Sequence, residues 1–401
     1  MTDLGQQAAK GFRKQALLFG FVRILTNTTV RMMSPFLPEF SRQLGISIEQ
    51  ITVVLAMRSG SGILIPFLTG LLESKTRRFG ILLGMSVFVL GAALVLIWPT
   101  WQGFAFALLI TSLGKTIMDP SIQAYVGDQI PYTQRGSVTG LIELGWGLSF
   151  MLGVPLVGFM IVRFGWISPF PVFVVVGAFI LLGLWRVVPT TPVAAAGGTH
   201  IFKNFAQVLR HRPALASLIA GLCIASASEL IQIVLGLWLE ADFNAPVAGI
   251  GAAALVIGTA ELFGEGFVST LTDRLGKKRS IVFGLLVTSA AALLFLTPVD
   301  SLNLAMVVLF IYFLAFEFTV VTTIPIMTEV MPKFRATTIG LAMAFTYLGR
   351  TLGTLAGPLL FGLNGIASNV FFAVLLNLAA VAAYSFVKFP GEGAPEIGST
   401  R

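Results

Sequence analysis

The chain has 401 residues, of which 56% are hydrophobic and only 11% charged, and its mean hydropathy is +0.90. These values exclude an ordinary soluble domain and indicate a protein that lives in a bilayer. The formal net charge of +8 comes from bases between apolar runs, so it reflects topology and anionic headgroups, with no need for a nucleic-acid partner.

Twelve apolar runs, each near the length a helix needs to cross a hydrocarbon core about 30 Å thick, follow one another along the chain. They are predicted at 15–38, 50–70, 80–98, 102–127, 136–162, 168–187, 214–238, 247–270, 280–298, 303–328, 336–362 and 367–388, and are called spans 1 to 12 below. A stretch such as ILLGMSVFVLGAALVLIW is apolar all round, which argues for helices and against a β-barrel, where polar and apolar residues alternate. Span 1 follows Lys10, Arg13 and Lys14 as a secretory signal would. It is too long for one, contains Arg23 and Arg31, and lacks a small-residue cleavage site.

Charges inside the spans carry the most functional information, because each costs several kcal/mol (about 2.5–3.5 on insertion scales) unless it faces protein or water. In chain order they are Arg23 and Arg31 in span 1, Arg58 in span 2, Lys115 and Asp119 in span 4, and Glu143 in span 5. Glu229 follows in span 7, Glu261 and Glu265 in span 8, Glu317 in span 10, and Arg350 in span 11. Lys115 and Asp119 lie four apart on one helical face and are expected to pair. With five cations against six anions, at least one carboxylate lacks a partner, and such a group can take up a proton near neutrality. Glu229 and Glu317, without a basic neighbour on their own spans, are the leading proton-coupling candidates; Asp119, Glu143 and Glu261 follow. Arg23, Arg31, Arg58, Lys115 and Arg350 are candidates for pairing with these acids or for lining a substrate cavity. Cys223, the single cysteine, sits in an apolar run, so no disulfide framework is expected.

The chain repeats itself with an offset of about 200 residues. AYVGDQIPYTQRGSVTG from Ala124 aligns with PIMTEVMPKFRATTIG from Pro325, and GLLESKTRRFG from Gly70 with STLTDRLGKKR from Ser269. The expected organisation is an N-terminal tail (1–14), a six-span bundle (15–188), a linker (189–213), a second six-span bundle (214–388) and a C-terminal tail (389–401). Within the linker, HIFKNFAQVLRHR reads as an interfacial helix, apolar on one face and basic on the other. Nineteen Lys and Arg residues fall in tails and connections on the side of the N-terminus, and only Arg42 and Arg163 on the other. Cytoplasmic connections keep their bases, so both termini are expected in the cytoplasm, with the protein in the cell (inner) membrane.

Twelve spans in two parallel repeats, with LTDRLGKKR after span 8, resemble the major facilitator superfamily of secondary transporters, nearest to its drug/proton antiporter-like twelve-helix branch. The family pattern at this connection is G-x-L-x-D-R-x-G-R/K-R/K. Asp273, Arg274, Gly276, Lys277 and Lys278 match it, while Ser269 stands where glycine is usual. In the first repeat Ser74, Lys75 and Arg77 replace the aspartate, arginine and glycine. A second motif, GVPLVGF in span 5, matches the antiporter pattern G-P-x-x-G-G only at Pro155 and Gly158. In span 11, GRTLGTLAGP places Gly349, Gly353 and Gly357 on one face, as close helix packing requires.

The resemblance implies an all-α membrane protein of two six-helix bundles that works by alternating access, with the loop after span 8 as a latch on the cytoplasmic side. It also implies that spans 1, 4, 7 and 10 line a central cavity. The expected activity is proton-coupled export of a small amphipathic or hydrophobic compound by a monomer, without cofactor or metal. Two alternatives stand beside it: coupled uptake of a polar or anionic solute, bound by Arg31 and Arg350, and a transporter-like sensor or scaffold. No enzymatic motif competes. Gly114–Thr116 lacks the upstream glycine of a phosphate loop, His200 and His211 have no cysteine partner, and neither HExxH nor GxSxG occurs.

Overall fold

A computed structural model describes residues 3–67, 76–129, 132–190, 201–331 and 334–387. Side chains are described for all of these except 3–13, 132–137, 201–203, 267–275, 277, 324–329, 335 and 336. The described residues are almost wholly helical. The helices are α1 (Asp3–Arg31), α2 (Leu37–Leu44), α3 (Ile48–Ser61), α4 (Arg77–Ile97), α5 (Trp101–Gln129), α6 (Tyr132–Leu148), α7 (Val154–Phe164) and α8 (Pro169–Val187). They continue as α9 (Ile201–Arg210), α10 (Arg212–Gln232), α11 (Leu235–Phe243), α12 (Val247–Leu275), α13 (Lys277–Leu293), α14 (Leu302–Glu329) and α15 (Arg335–Ser385).

Nine segments among the described residues are long and apolar enough to cross a membrane, and one of them, Thr337–Ser385, crosses twice. It folds back at Asn364 (φ −154°) and Gly365 (φ 56°), between spans 11 and 12. Spans 1 and 4 fall short in hydropathy because Arg23, Arg31 and the polar run from Thr26 to Thr29 lie within α1, and Lys115 and Asp119 within α5.

Two expected spans are broken. Span 1 was predicted to run unbroken to residue 38, but α1 stops at Arg31 and α2 starts at Leu37 after a turn. Pro35 lacks the N–H that would bond to the Arg31 carbonyl, which interrupts the ladder. Span 7 breaks at Ile233–Val234 between α10 and α11, with no proline at the break. Here the cause comes from elsewhere in the chain. The Asn369 amide, in the second arm of α15, donates to the Leu230 carbonyl at 2.7 Å and to the Gly357 carbonyl at 2.9 Å. An inserted side chain that takes a backbone carbonyl is a sufficient reason for a kink. Asn369 is fully buried, so Asn369→Leu strands two carbonyls and is expected to lower stability by about 1–3 kcal/mol, read as a drop in thermal unfolding temperature in detergent. A change of less than one degree would contradict that role.

The broken helices end alike. Gly45 closes α2 at φ 65° and Asn244 closes α11 at φ 49°, the one non-glycine residue with positive φ among those described, and asparagine is the usual substitute there. Span 5 is interrupted by a π-helical turn, Ser149–Gly153, just before Pro155, whose missing N–H leaves the ladder one partner short.

Span 11 packs against span 7 through its small residues. A Cβ on Gly353 would meet the Ser226 carbonyl at 2.8 Å and Glu229 Cβ at 2.7 Å, so the glycine row buys close approach of the backbones. In the linker helix α9, Val208 is fully buried in one cluster with Leu218, Tyr384 and Val387, and the Phe205 ring meets Phe67 edge-on at 5.9 Å. The apolar face of α9 therefore rests on protein.

Candidate functional site: a charged centre between the two halves

Charged residues from five spans converge within the N-terminal half and at its seam with the C-terminal half. On α1, Arg23 Nη1 donates to Asp119 Oδ2 of α5 at 2.8 Å, and Nη2 to Glu143 of α6 at 2.6 and 2.8 Å. Lys115 also pairs with Asp119, as the four-residue spacing predicts, and Gln123 donates to Glu143 at 3.0 Å. Two acids and two bases thus neutralise one another inside a single half.

Two turns further along α1 the arrangement changes. Arg31 Nη2 pairs with Glu261 of α12, in the other half, while Nη1 donates to the Trp146 carbonyl at 2.8 Å. The guanidinium lies against the Trp146 ring (4.1 Å to the centroid) and the Phe150 ring (3.6 Å). Arg31 is 5% and Glu261 0% exposed. Planar, weakly hydrated arginine suits such a site, since it can stack and bond at once. Arg31 Nε and Glu261 Oε2 have no hydrogen-bond partner among the described residues.

Glu317 of α14 faces this pair. It is 4% exposed and its electrostatic neighbours are Glu261, Glu265, Arg31 and Arg350. Among the described residues it makes no hydrogen bond or ion pair. Its backbone position is fixed by tight contact with α12, where a Cβ on Gly264 would lie 2.9 Å from Glu317 Cβ and from the Leu314 carbonyl. Glu229 has different company: it accepts a hydrogen bond from Thr354 at 3.2 Å and lies in the field of Arg58. Arg58 itself donates to the Val30 carbonyl at 3.1 Å, and Arg350 sits over the Trp146 ring at 5.6 Å.

Asp273, Arg274 and Lys277 of the loop after span 8 have side chains outside the described residues. Gly276 holds φ 79°, a conformation that L side chains rarely adopt, and so supplies the turn between α12 and α13. Lys278, the second residue of α13, donates to the Val387 carbonyl at 2.9 Å, and Arg78, the second residue of α4, donates to the Trp185 carbonyl at 2.6 Å and to Thr190 at 3.0 Å. Each base therefore satisfies a carbonyl at the end of the last helix of its own half, where cations are favoured.

Several residues at the centre were not singled out by sequence reasoning. Trp146 and Phe150 flank Arg31, and only their four-residue spacing on span 5 hinted at a shared face. Asn27, between Arg23 and Arg31 on the same face of α1, is fully buried with neither amide atom bonded among the described residues. Glu265, which the sequence places among the intramembrane charges without assigning it a role, lies one turn from Glu261 and is among the electrostatic neighbours of Glu317. Away from the charges, an apolar crevice of about 220 Å³ separates α7 from α12, lined by Pro155, Gly158, Phe159, Val162, Gly251 and Leu255.

The family model of the Major Facilitator Superfamily matches the chain twice, over residues 19–231 and 217–399. The chain belongs to the major facilitator superfamily. Members similar to it include YceJ of Bacillus subtilis, an MFS-type transporter 26% identical over 94% of this chain and 96% of its own. The multidrug resistance protein MdtG of Serratia proteamaculans is 28% identical over 66% of this chain and 67% of its own. The multi-drug resistance efflux pump PmrA of Streptococcus pneumoniae is 22% identical over 92% and 94%. Among solved structures, a POT family transporter in complex with 5-aminolevulinic acid superposes with a TM-score of 0.75 at 14% identity, covering 93% of this chain and 94% of its own. An inward-facing bacterial homologue of the human lysosomal transporter Spinster gives 0.67 at 16% identity, over 94% and 95%. The fold is thus the superfamily fold, and the chain is an integral membrane transporter of small molecules.

Proposed function

We propose that this transporter expels a small amphipathic or hydrophobic compound in exchange for protons, as a monomer in the cell membrane with both termini in the cytoplasm. The observation that carries the reading is Glu317: a buried carboxylate, without hydrogen-bond partner among the described residues, beside the Arg31–Glu261 ion pair that joins the halves. A carboxylate in such surroundings can hold a proton in one part of the cycle and release it in another, which coupling requires. Asp119 and Glu143 serve Arg23 and Lys115, and Glu261 serves Arg31, so these acids act structurally. The names of MdtG and PmrA support export as the direction. Uptake of an anion is less favoured, because Arg31 is already occupied by Glu261 and two aromatic rings. The protein has no catalytic chemistry of its own in this reading.

The test uses purified protein in proteoliposomes loaded with a pH indicator, under an imposed pH gradient, with ethidium and radiolabelled chloramphenicol as probes. At least one probe is expected to move against its own gradient, with proton movement in the opposite direction and loss of both on adding a protonophore. Probe movement that ignores the pH gradient would overturn proton coupling.

A further inference from the structure

The crevice between α7 and α12 lies in the half of the membrane away from the N-terminus, because α7 ends and α12 begins on that face. It is a wedge. Toward mid-membrane the helices close on each other, and a Cβ on Gly258 would lie 2.4 Å from the Met151 nitrogen. Nearer the face, a Cβ on Gly251 would have Pro155 Cα as its closest neighbour, at 3.7 Å. Phe159 and Val162 on the rim are 63% and 62% exposed. Exposed apolar side chains within a span meet hydrocarbon, so the crevice opens sideways into lipid.

At its outer end stands Arg163. Pro155, Phe159 and Arg163 follow at four-residue steps along one face of α7, so the base is in line with the apolar lining. Arg163 is exposed in the last turn of α7 and makes no hydrogen bond or ion pair among the described residues. The other base that the sequence keeps on this side, Arg42, is taken by Glu39 and Glu240. Trp98 and Trp101, exposed between α4 and α5 on the same face, mark the level of the headgroups, where such rings collect. An unpaired guanidinium at that level, above an apolar slot, complements a lipid with a negative headgroup.

We propose that the crevice and Arg163 together bind one anionic glycerophospholipid from the leaflet away from the N-terminus, with an acyl chain between α7 and α12 and the phosphate on Arg163. Size favours a chain over a compact solute, since about 220 Å³ falls below the roughly 300 Å³ at which drug-sized sites begin. Every lining residue is apolar, so nothing in the slot would orient a polar solute. Because α7 belongs to the first bundle and α12 to the second, the lipid touches both halves. It therefore favours the conformation in which the crevice has this width.

The inference is independent of the direction and coupling of transport, and its test needs neither. The full chain is reconstituted into phosphatidylcholine vesicles doped with phosphatidylglycerol that carries a photoactivatable diazirine midway along one acyl chain, and labelled peptides are mapped by mass spectrometry. Label is expected to concentrate on residues 154–164 and 247–255. Arg163→Gln should cut it about fivefold and Arg163→Lys hardly at all, the effect of one base near an anionic headgroup. Ala248→Phe, which fills the slot, should cut it as strongly. Both positions are exposed, so the fold tolerates these changes. A phosphatidylcholine probe with the same diazirine should label these peptides far less. Equal labelling by the two lipids, or unchanged label in Arg163→Gln, would overturn the site. So would displacement of the probe by ethidium, which would make the crevice a substrate route.

Discussion

Replacing Glu261 by leucine is expected to lower stability by about 3–5 kcal/mol, because it leaves the Arg31 guanidinium buried at the seam without its counter-charge. The double variant Arg31→Met, Glu261→Leu should recover most of that loss. Two apolar side chains of similar volume need no partner, whereas one stranded charge does. Arg31 keeps its aromatic neighbours and the Trp146 carbonyl in the single variant, so the loss should fall at the lower end of the range. The measurement is thermal unfolding in detergent of the two single variants and the double, read as a thermodynamic cycle. Additive losses would mean that the pair is not the unit that holds the seam. Transport should fail in all three, since the pair joins the moving halves.

Glu317→Gln is expected to do the reverse: abolish movement driven by a pH gradient while leaving stability intact. Among the described residues Glu317 has no ion-pair partner to strand, and Glu261 and Glu265 stand among its electrostatic neighbours. A permanently neutral amide therefore fits the fold but cannot cycle a proton. Ethidium binding should stay within roughly tenfold of wild type, about 1.4 kcal/mol. In Glu229→Gln the consequence should be ordered differently. The amide keeps a bond to Thr354 but leaves Arg58 without its nearest negative charge, so the amount of protein falls before coupling does. Both variants moving ethidium at wild-type rates across a pH gradient would remove both acids from the coupling step.

What the sequence makes legible is what the bilayer dictates. Span number and length follow from the thickness of the hydrocarbon core, and the Lys115–Asp119 pair from the pitch of one helix. Contacts that depend on how the helices come together are not legible. Arg23 finds Asp119 and Glu143 at separations of 96 and 120 residues, and Arg31 finds Glu261 at 230, so a list of intramembrane charges cannot say which acid is spent. The two helix breaks show the same boundary. The first break, at Pro35, lies inside the span predicted unbroken over 15–38, although the proline that causes it is local; the second is made by Asn369, 139 residues from the carbonyl it takes. Sequence reasoning could rank Glu229 and Glu317 only as equals; the Thr354 hydroxyl and Arg58 beside one, and the lack of any such partner for the other among the described residues, distinguish their surroundings.

The shortness of the connections on the face away from the N-terminus has a practical side. The described turns there, at 32–36, 45–47, 98–100, 165–168, 244–246, 297–301 and 364–365, run to five residues at most, and Asn364–Gly365 is a two-residue hairpin. A surface this sparse offers an antibody or an accessory protein almost no polypeptide to grip. An epitope tag or fluorescent domain inserted at Asn364–Gly365 would have to prise apart two helices that share a single bend, so tolerance for insertion should be lowest there. Affinity reagents and imaging labels are better carried by the linker between the halves, on the opposite side, where the connection is longest.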